Sequence, residues 1–269
     1  MPAPETQAAE LVALQQAVAA NGDARKALTD NLIAAVAAYV RAFTGWYDDL
    51  AVRRLAKQIA AAVAPTQRVM ASQEDAYLAH VTSVLSKRTA TPVGPVDVSN
   101  LRKGVPADEV YTRLAEQYRW DRSTGTPDAK ALGKVLTRAS VMNQMDVALA
   151  ARSEQEKFFT EHKVEGYRRV LHPELSKGGS CGLCIAASDR IYHRNRLMPL
   201  HARCCCGVLP LIGGYDPGNS LNNLDLGALY EAAGSTSARD LKKTRYVVHD
   251  NGELGPVLAA HGSTDRLAA

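Results

Sequence analysis

No cysteine lies before residue 181 or after residue 206; all five, Cys181, Cys184, Cys204, Cys205 and Cys206, fall in one short segment. A disulfide scaffold scatters its cysteines to staple distant loops, so this confinement excludes that class and favours a metal held in a reducing compartment. Aromatic residues are also scarce, at 6% against a hydrophobic fraction of 46% supplied largely by alanine. That balance argues for closely packed helices instead of a thick aromatic core. No stretch reaches the roughly 18 uninterrupted apolar residues that span a bilayer. The opening PAPETQAAE lacks the positive n-region of a signal peptide. The expectation is a soluble, non-secreted protein without a membrane partner. The net charge of +4 is spread along the chain without a basic arm, so charge alone does not mark a nucleic-acid binder. Internal repeats and low-complexity blocks are missing too.

What the chain does have is helical periodicity over its front half. Leu11, Leu14 and Val18 keep helical spacing up to Asn21-Gly22, which reads as a C-cap and turn before Asp23 starts a second helix. Leu28, Leu32, Ile33, Val36, Tyr39, Val40 and Phe43 continue at three- and four-residue steps, and the stripe extends past Gly45 through Leu50 to Val63. Pro65 is expected to break it, and a third helix with Val69, Tyr77, Val81, Val84 and Leu85 follows over 66–86. The segment RTATPVGPVDVSN reads as an extended linker and the natural hinge. Helix resumes at 107–118, pauses at DRSTGTPD, and runs from Asp128 to Glu161 with Leu132, Val135, Leu136, Val141 and Leu149 along it.

After His162 the chain changes character, with short β-like runs YRRVL, RIY and GVLPLI between Gly, Pro and Ser. From Gly213 it is turn-rich, with a short helix expected at Leu224 to Ala233 and a strand-like RYVVH near its end. The fold class is α+β: a mainly helical N-terminal body, a small zinc-stabilised α+β module and an extended C-terminal tail. The expected divisions are a helical region 1–88, a linker 89–106, a second helical region 107–162, the module 163–212 and the tail 213–269.

Cys181-Gly-Leu-Cys184 is a CxxC knuckle in which Gly182 lets the backbone turn both thiolates toward one ion. His201-Ala-Arg-Cys204-Cys205-Cys206 offers an HxxCxC set further on. Two ligand pairs separated by a loop are the usual plan of a structural zinc site. Zinc takes four donors, so Cys181, Cys184, His201, Cys204 and Cys206 are one too many, with Cys205 set aside as pointing away. Which of the last three is outside the coordination sphere stays open. The competing reading is a group of buried thiols with His201 a satisfied core histidine. A redox CxxC lacks the strand-to-helix setting that lowers a thiol pKa. His172 and His193 flank the cluster and read as surface or hydrogen-bonded residues, with substitution for a ligand as the sharper alternative. Arg168, Arg169, Arg190, Arg194, Arg196 and Arg203 make the module locally basic, and a solvated face is the simpler account of them than a phosphate contact.

The run YRRVLHPELSKGGSCGLCIAASDRIYHRNRLMPLHARCCCGVLPLI resembles the core of MuF-like minor head proteins of tailed bacteriophages, in the version found in phages of actinobacteria. Three pieces carry the likeness: an Arg-rich strand leading to CxxC, the RIY segment with the turn Met198-Pro199-Leu200-His201, and HxxCxC followed by apolar residues and Pro210. The ending HDNGELGPVLAAHG resembles the tail of the same version, through Gly252 to Leu258. The resemblance covers about the third quarter of the chain. It implies a virion component made in the host cytoplasm and located in the phage head, associated with the portal or the major capsid protein at the shell interior. The metal residues it carries over are Cys181, Cys184, His201, Cys204 and Cys206.

A maturation-protease activity finds no support: the sequence has no GxSxG elbow, no HExxH helix and no Ser, His and acid singled out as a triad. The expectation is therefore a non-enzymatic structural protein. An HNH-type zinc-stabilised nuclease would need His193 or His201 as its base, which removes His201 from the metal set. A DNA-binding module is the other alternative, and contact with packaged DNA is compatible with the structural role. An alanine-rich amphipathic body is compatible with a homo-oligomer as well.

Overall fold

Leu32, Val36 and Val40 point into one core, and so do Val52, Ile59 and Val63, as their spacing predicts. In the computed structural model, which describes residues 4–102, 104–172, 175, 184, 187–188, 190–194, 206–218, 220–222, 246–251 and 255–260, these stripes belong to two long helices. Helix α1 spans Pro4–Ala42 and α2 spans Asp49–Ser86; after a 3-10 turn at Val98–Asn100 come α3, Ala107–Ser123, and α4, Asp128–Glu161. A three-stranded antiparallel sheet follows, β1 (Gly166–Val170), β2 (Ile191–His193) and β3 (Gly207–Pro210), in the order β2-β1-β3. Strands β4 (Tyr246–Asn251) and β5 (Gly255–Ala260) form a separate antiparallel pair in the register Val248 to Leu258. The fold is mainly helical with a small antiparallel sheet. The helix expected at Leu224 to Ala233 lies outside the described residues. Among the described residues no helix is long and apolar enough to cross a membrane.

The helix boundaries depart from the sequence expectations: α3 runs on to Ser123, past the end expected at Tyr118, and three further departures each have a physical reason. Helix α1 runs through Asn21-Gly22 without a turn. Asn21 is buried and its amide works sideways, donating to Glu74 Oε2 at 3.1 Å while its Oδ1 accepts from Gln73 Nε2 at 2.9 Å. It is a cross-helix tie and not a cap. Helix α2 runs through Pro65. A proline inside a helix costs about 3 kcal/mol by losing one backbone bond and crowding a carbonyl. Here Pro65 and Ala61, whose carbonyl loses the partner, are both on the exposed face, where water serves that carbonyl. The buried face carries Ile59, Val63, Gln67 and Met70 across the site without a phase change. That phase places Val69, expected in the core, on the surface.

The third departure is at Gly45, where the expected continuous stripe is interrupted between Ala42 and Asp49. Trp46 turns inward and stacks on Tyr118 with ring centroids 4.6 Å apart, and Phe43 meets its edge at 4.9 Å. A Cβ on Gly45 would lie 2.8 Å from that of Ala51, so only glycine allows this close return. Asp48 caps the new helix by accepting from the Leu50 and Ala51 amides at 2.8 and 3.1 Å, which holds its carboxyl below the usual range. Helix α4 has the bounds expected of it.

Two apolar clusters form. One joins the second half of α1, the first half of α2, α3 and α4 from Ala131 to Ala151; the other joins Leu14 and Val18 of α1, Tyr77, Leu78 and Val81 of α2, Phe158 and Phe159 of α4, and the sheet. Buried polar groups of α1, α2 and α4 tie the same helices together. Glu74 accepts from Asn21 at 3.1 Å and from Gln155 at 2.6 Å. Asp146 pairs with Arg102, lies 2.7 Å from the Tyr111 hydroxyl, and its backbone carbonyl accepts from Gln67 at 3.0 Å.

The segment expected to be a hinge is extended but strapped to α2 and α4 by side chains. Asp75 accepts from the Val93 and Gly94 amides at 2.9 and 2.8 Å, Lys157 donates to the carbonyls of the same two residues, and Glu154 accepts from Val96 N. These side chains satisfy backbone groups that a neighbouring strand would otherwise take. Burial pushes the Glu154 carboxyl up to about 7, against the Val96 amide that favours its charged form. Because the folded value lies above the ordinary one, stability from this group is full at low pH and is lost as pH rises toward 7. Denaturant unfolding of the unmodified chain is therefore expected to lose about 2 kcal/mol relative to Glu154→Gln between pH 5 and 8.5, at 1.36 kcal/mol per pKa unit discounted for relaxation. Parallel pH dependences of the two proteins would refute this.

Candidate metal centre and its platform

Strand β1 is buried on both faces, and the two faces are held by different chemistry. On one, Tyr167 stacks on Tyr192 at 5.5 Å, and the Arg169 guanidinium lies 4.9 Å from the Tyr192 ring centroid, a cation–π arrangement. The Tyr77 hydroxyl of α2 donates to the Val208 carbonyl at 3.1 Å and ties that face to the helical body. On the other face Arg168 donates through Nε to both Asp216 oxygens at 2.8 and 2.7 Å, pairs with Asp216 through Nη2, and donates through Nη1 to the Ser188 carbonyl at 2.8 Å. Gly218 lies against the Arg168 stem, where a Cβ would come within 2.6 Å of Cδ. Arg168 and Arg169 are thus interior residues, a correction to the solvated face expected of them.

Beyond Arg168, β2 no longer pairs with β1, and Asn222 takes its place. Its Oδ1 accepts from Leu171 N at 3.1 Å and its Nδ2 donates to the Arg169 carbonyl at 2.8 Å, so one buried amide completes the strand edge. Sequence reading missed Asn222, Asp216 and Gly218, which stand in the turn-rich tail. The only sequence signal for them is a run of Asp, Gly and Asn, common to any loop.

The stretch holding the cysteines runs from Leu171 to Cys206 in two connections, one from β1 to β2 that holds CxxC and one from β2 to β3 that holds HxxCxC, and the register Val170 to Gly207 sets its two outer ends side by side. His172 is buried at this base, and a Cβ on Gly207 would lie 2.6 Å from His172 Nε2. The expectation of His172 as a surface or hydrogen-bonded residue resolves to a buried one; His193 stands on the exposed side of β2. Cys184 is buried and Cys206 half-buried, and both pack in the apolar cluster that contains Tyr167, Val208 and Leu209. Cys181, His201, Cys204 and Cys205 lie outside the described residues, as do Arg196 and Arg203. Among the described residues no three His, Cys, Asp or Glu side chains are gathered closely enough to hold a metal.

Compared with known proteins, the chain matches no family model, no curated protein and no solved structure.

An open cleft of about 630 Å³ lies at the end of the sheet, lined by residues of the α4–β1 turn, β2 and 211–214. His162 at its rim is already engaged, stacked 4.1 Å from Phe158 with Nε2 3.0 Å from the Thr91 carbonyl.

Substitutions at two places, the Arg168–Asp216 pair and Gly207, test the platform. Asp216→Ala leaves a buried guanidinium without its carboxylate and is expected to cost about 3 kcal/mol, whereas Arg168→Met with Asp216→Leu recovers most of it. Gly207→Ala drives a methyl into the His172 ring and is expected to cost about 1–3 kcal/mol. Denaturant unfolding measures both, and an Asp216→Ala protein as stable as the unmodified one contradicts the ion pair's role.

Proposed function

We propose that the chain is a non-enzymatic structural protein of a tailed-phage head, a minor head protein of MuF-like type that works at the portal or the inner face of the shell. The observation that carries the reading is the clasped segment itself. A stretch that holds every cysteine of the chain links the three strands of one small sheet, with CxxC between β1 and β2 and HxxCxC between β2 and β3, and its outer ends stand side by side at Val170 and Gly207, on a long helical body whose polar interior is taken up by packing.

The donor chemistry fits a structural zinc ion. Buried or half-buried thiols in an apolar cluster are where a thiolate site excludes water, and Cys184 and Cys206 have those surroundings. Cys181 and Cys184 would supply one pair of donors, and His201, Cys204 and Cys206 the other two. The bound ion supplies cross-linking: four protein donors leave no open position for a substrate or an activated water. The interior role of Arg168 and Arg169 removes two cations from any phosphate-facing surface, which favours protein partners, the portal or the major capsid protein, over DNA as the principal contact.

Metal analysis of the purified chain is expected to find about one zinc per molecule, and far less in the Cys181→Ser, Cys184→Ser double variant, whose folding then becomes insensitive to chelator. Zinc-free unmodified protein would sink the metal reading. Mass spectrometry of proheads and mature particles tests the setting separately: the protein is expected at low copy number, and its absence from both overturns the head assignment.

A further inference from the structure

The strap between α2 and α3 is held with little apolar burial. None of its residues from 87 to 102 is fully buried, and its apolar packing comes from Val93 and, near its end, Leu101. Side chains grip its backbone instead. Ser83 Oγ accepts from Ala90 N at 2.9 Å, and His162 Nε2 lies 3.0 Å from the Thr91 carbonyl. Asp75 accepts from the amides of Val93 and Gly94, Lys157 donates to their carbonyls, and Glu154 accepts from Val96 N. Pro92 and Pro95, which have no N–H to satisfy, stand between the gripped residues. The two ends are fixed separately, Lys87 to Glu10 at 2.8 Å and Arg102 to the buried Asp146. The middle of the strap therefore depends on the ionisation of the side chains beneath it.

Glu154 is the weakest of them. It is fully buried, its Oε2 accepts from Val96 N, and its Oε1 has no hydrogen-bond partner among the described residues. Glu74 and Asp75 face it from α2, and Lys157 faces it from its own helix. Among the described residues no three acidic side chains gather closely enough to hold a metal, so the ligand this cluster takes is a proton. Burial, with the charges of Asp75 and Glu74 behind it, pushes the carboxyl up to about 7, against the Val96 amide and Lys157. We propose that Glu154 is a proton-operated latch of the strap: protonated it holds residues 93–96 against α2 and α4, and ionised it favours their local release while the helices and both ends of the strap stay in place. Ionisation leaves a charge under the strap without water. Lifting the lightly packed strap admits water at small cost, whereas moving α2 or α4 breaks two apolar clusters. The closed form holds its proton more tightly than the open one, whose carboxyl titrates near the ordinary 4.5. The open fraction is therefore least at low pH, rises as pH climbs toward 7, and levels off above that. This release is distinct from the loss of global stability, because it opens the strap without unfolding the chain.

The test is native-state hydrogen exchange of the full chain, read as protection relative to the unstructured rate at each pH. The amides of Val93, Gly94 and Val96 are expected to lose about fiftyfold in protection between pH 5 and 8, with most of the loss complete near 7. Low concentrations of denaturant leave their exchange unchanged, the mark of a local opening, whereas amides in the buried middle of α4 exchange faster as denaturant is added. Glu154→Gln, neutral at every pH, is expected to keep the strap's protection flat. His162→Gln, which removes the other titratable group next to the strap's carbonyls, is expected to keep the slope of the unmodified protein. The proposal is overturned if the strap's protection does not change with pH, if the slope survives in Glu154→Gln, or if it vanishes in His162→Gln. It is overturned as well if the strap amides exchange only together with those of α4 as denaturant rises. None of these results alters the zinc content or the particle composition, so this proposal and the head-protein reading fail separately.

Discussion

Glu74 is held from both sides by amides, Asn21 of α1 and Gln155 of α4, and this buried carboxylate fixes the register of the three longest helices. Apolar stripes rich in alanine tolerate sliding, because one small residue replaces another at each turn. A charged group without water does not tolerate it: a slip of one turn strands the carboxylate among methyl groups at a cost of several kcal/mol. Asp146, with Arg102, Tyr111 and Gln67 around it, repeats the constraint where α2, α3 and α4 meet. The strap of residues 93–96 follows from the same register, since Asp75 and Glu154 reach its amides only when α2 and α4 are aligned.

From that alignment the position of the sheet follows. Tyr77 sits one turn beyond Glu74 on α2, and its hydroxyl anchors β3 through the Val208 carbonyl. Burial pushes that phenol's pKa up, so it stays a donor throughout the pH range in which the protein is folded. Phe159 at the end of α4 lies 5.9 Å from Tyr167 and supports β1 from the same side. The sheet itself is only three short strands, too small to fold alone. It persists because its inner face is part of the helical core, its outer face is clamped by Arg168 and Asp216, and its edge is completed by Asn222.

How far this was legible in the sequence depended on whether the signal was local. The bounds of α4 were readable because Pro127 and Asp128 mark its start and a long apolar period carries it to Glu161. The short strands were readable from Tyr, Val and Ile between turn residues. Asn21-Gly22 and Pro65 misled because their usual meaning is local, whereas here a contact from α2 recruits Asn21 and the exposure of Ala61 makes Pro65 tolerable. The break at Gly45 was hidden in a continuous stripe, since Trp46 turns inward only to meet Tyr118, distant in sequence. Arg168 and Arg169 looked like a solvated pair, as consecutive arginines usually are. Their burial depends on Asp216 and on two tyrosine rings, and no spacing rule links those residues. Of the five proposed donors, Cys184 and Cys206 share one apolar cluster; Cys181, His201 and Cys204 lie outside the described residues.

The base of the cysteine segment gives a physical reason for a cross-link inside it. Between Leu171 and Cys206 the chain is held to the sheet by β2, which pairs with β1 and divides the stretch into one connection that holds CxxC and another that holds HxxCxC. Closing the base through Val170 and Gly207 already meets the cost of bringing the ends together, and that cost grows only slowly with length. What is left is the freedom of the two connections on either side of β2, which the proposed tie between CxxC and HxxCxC would remove. CxxC near the start and HxxCxC near the end stand where such a tie acts on most of the segment. The rigid base matters to that tie in turn: a donor set assembled from two distant stretches binds tightly only if its ends are already held together, and β1, clamped on both faces, holds them.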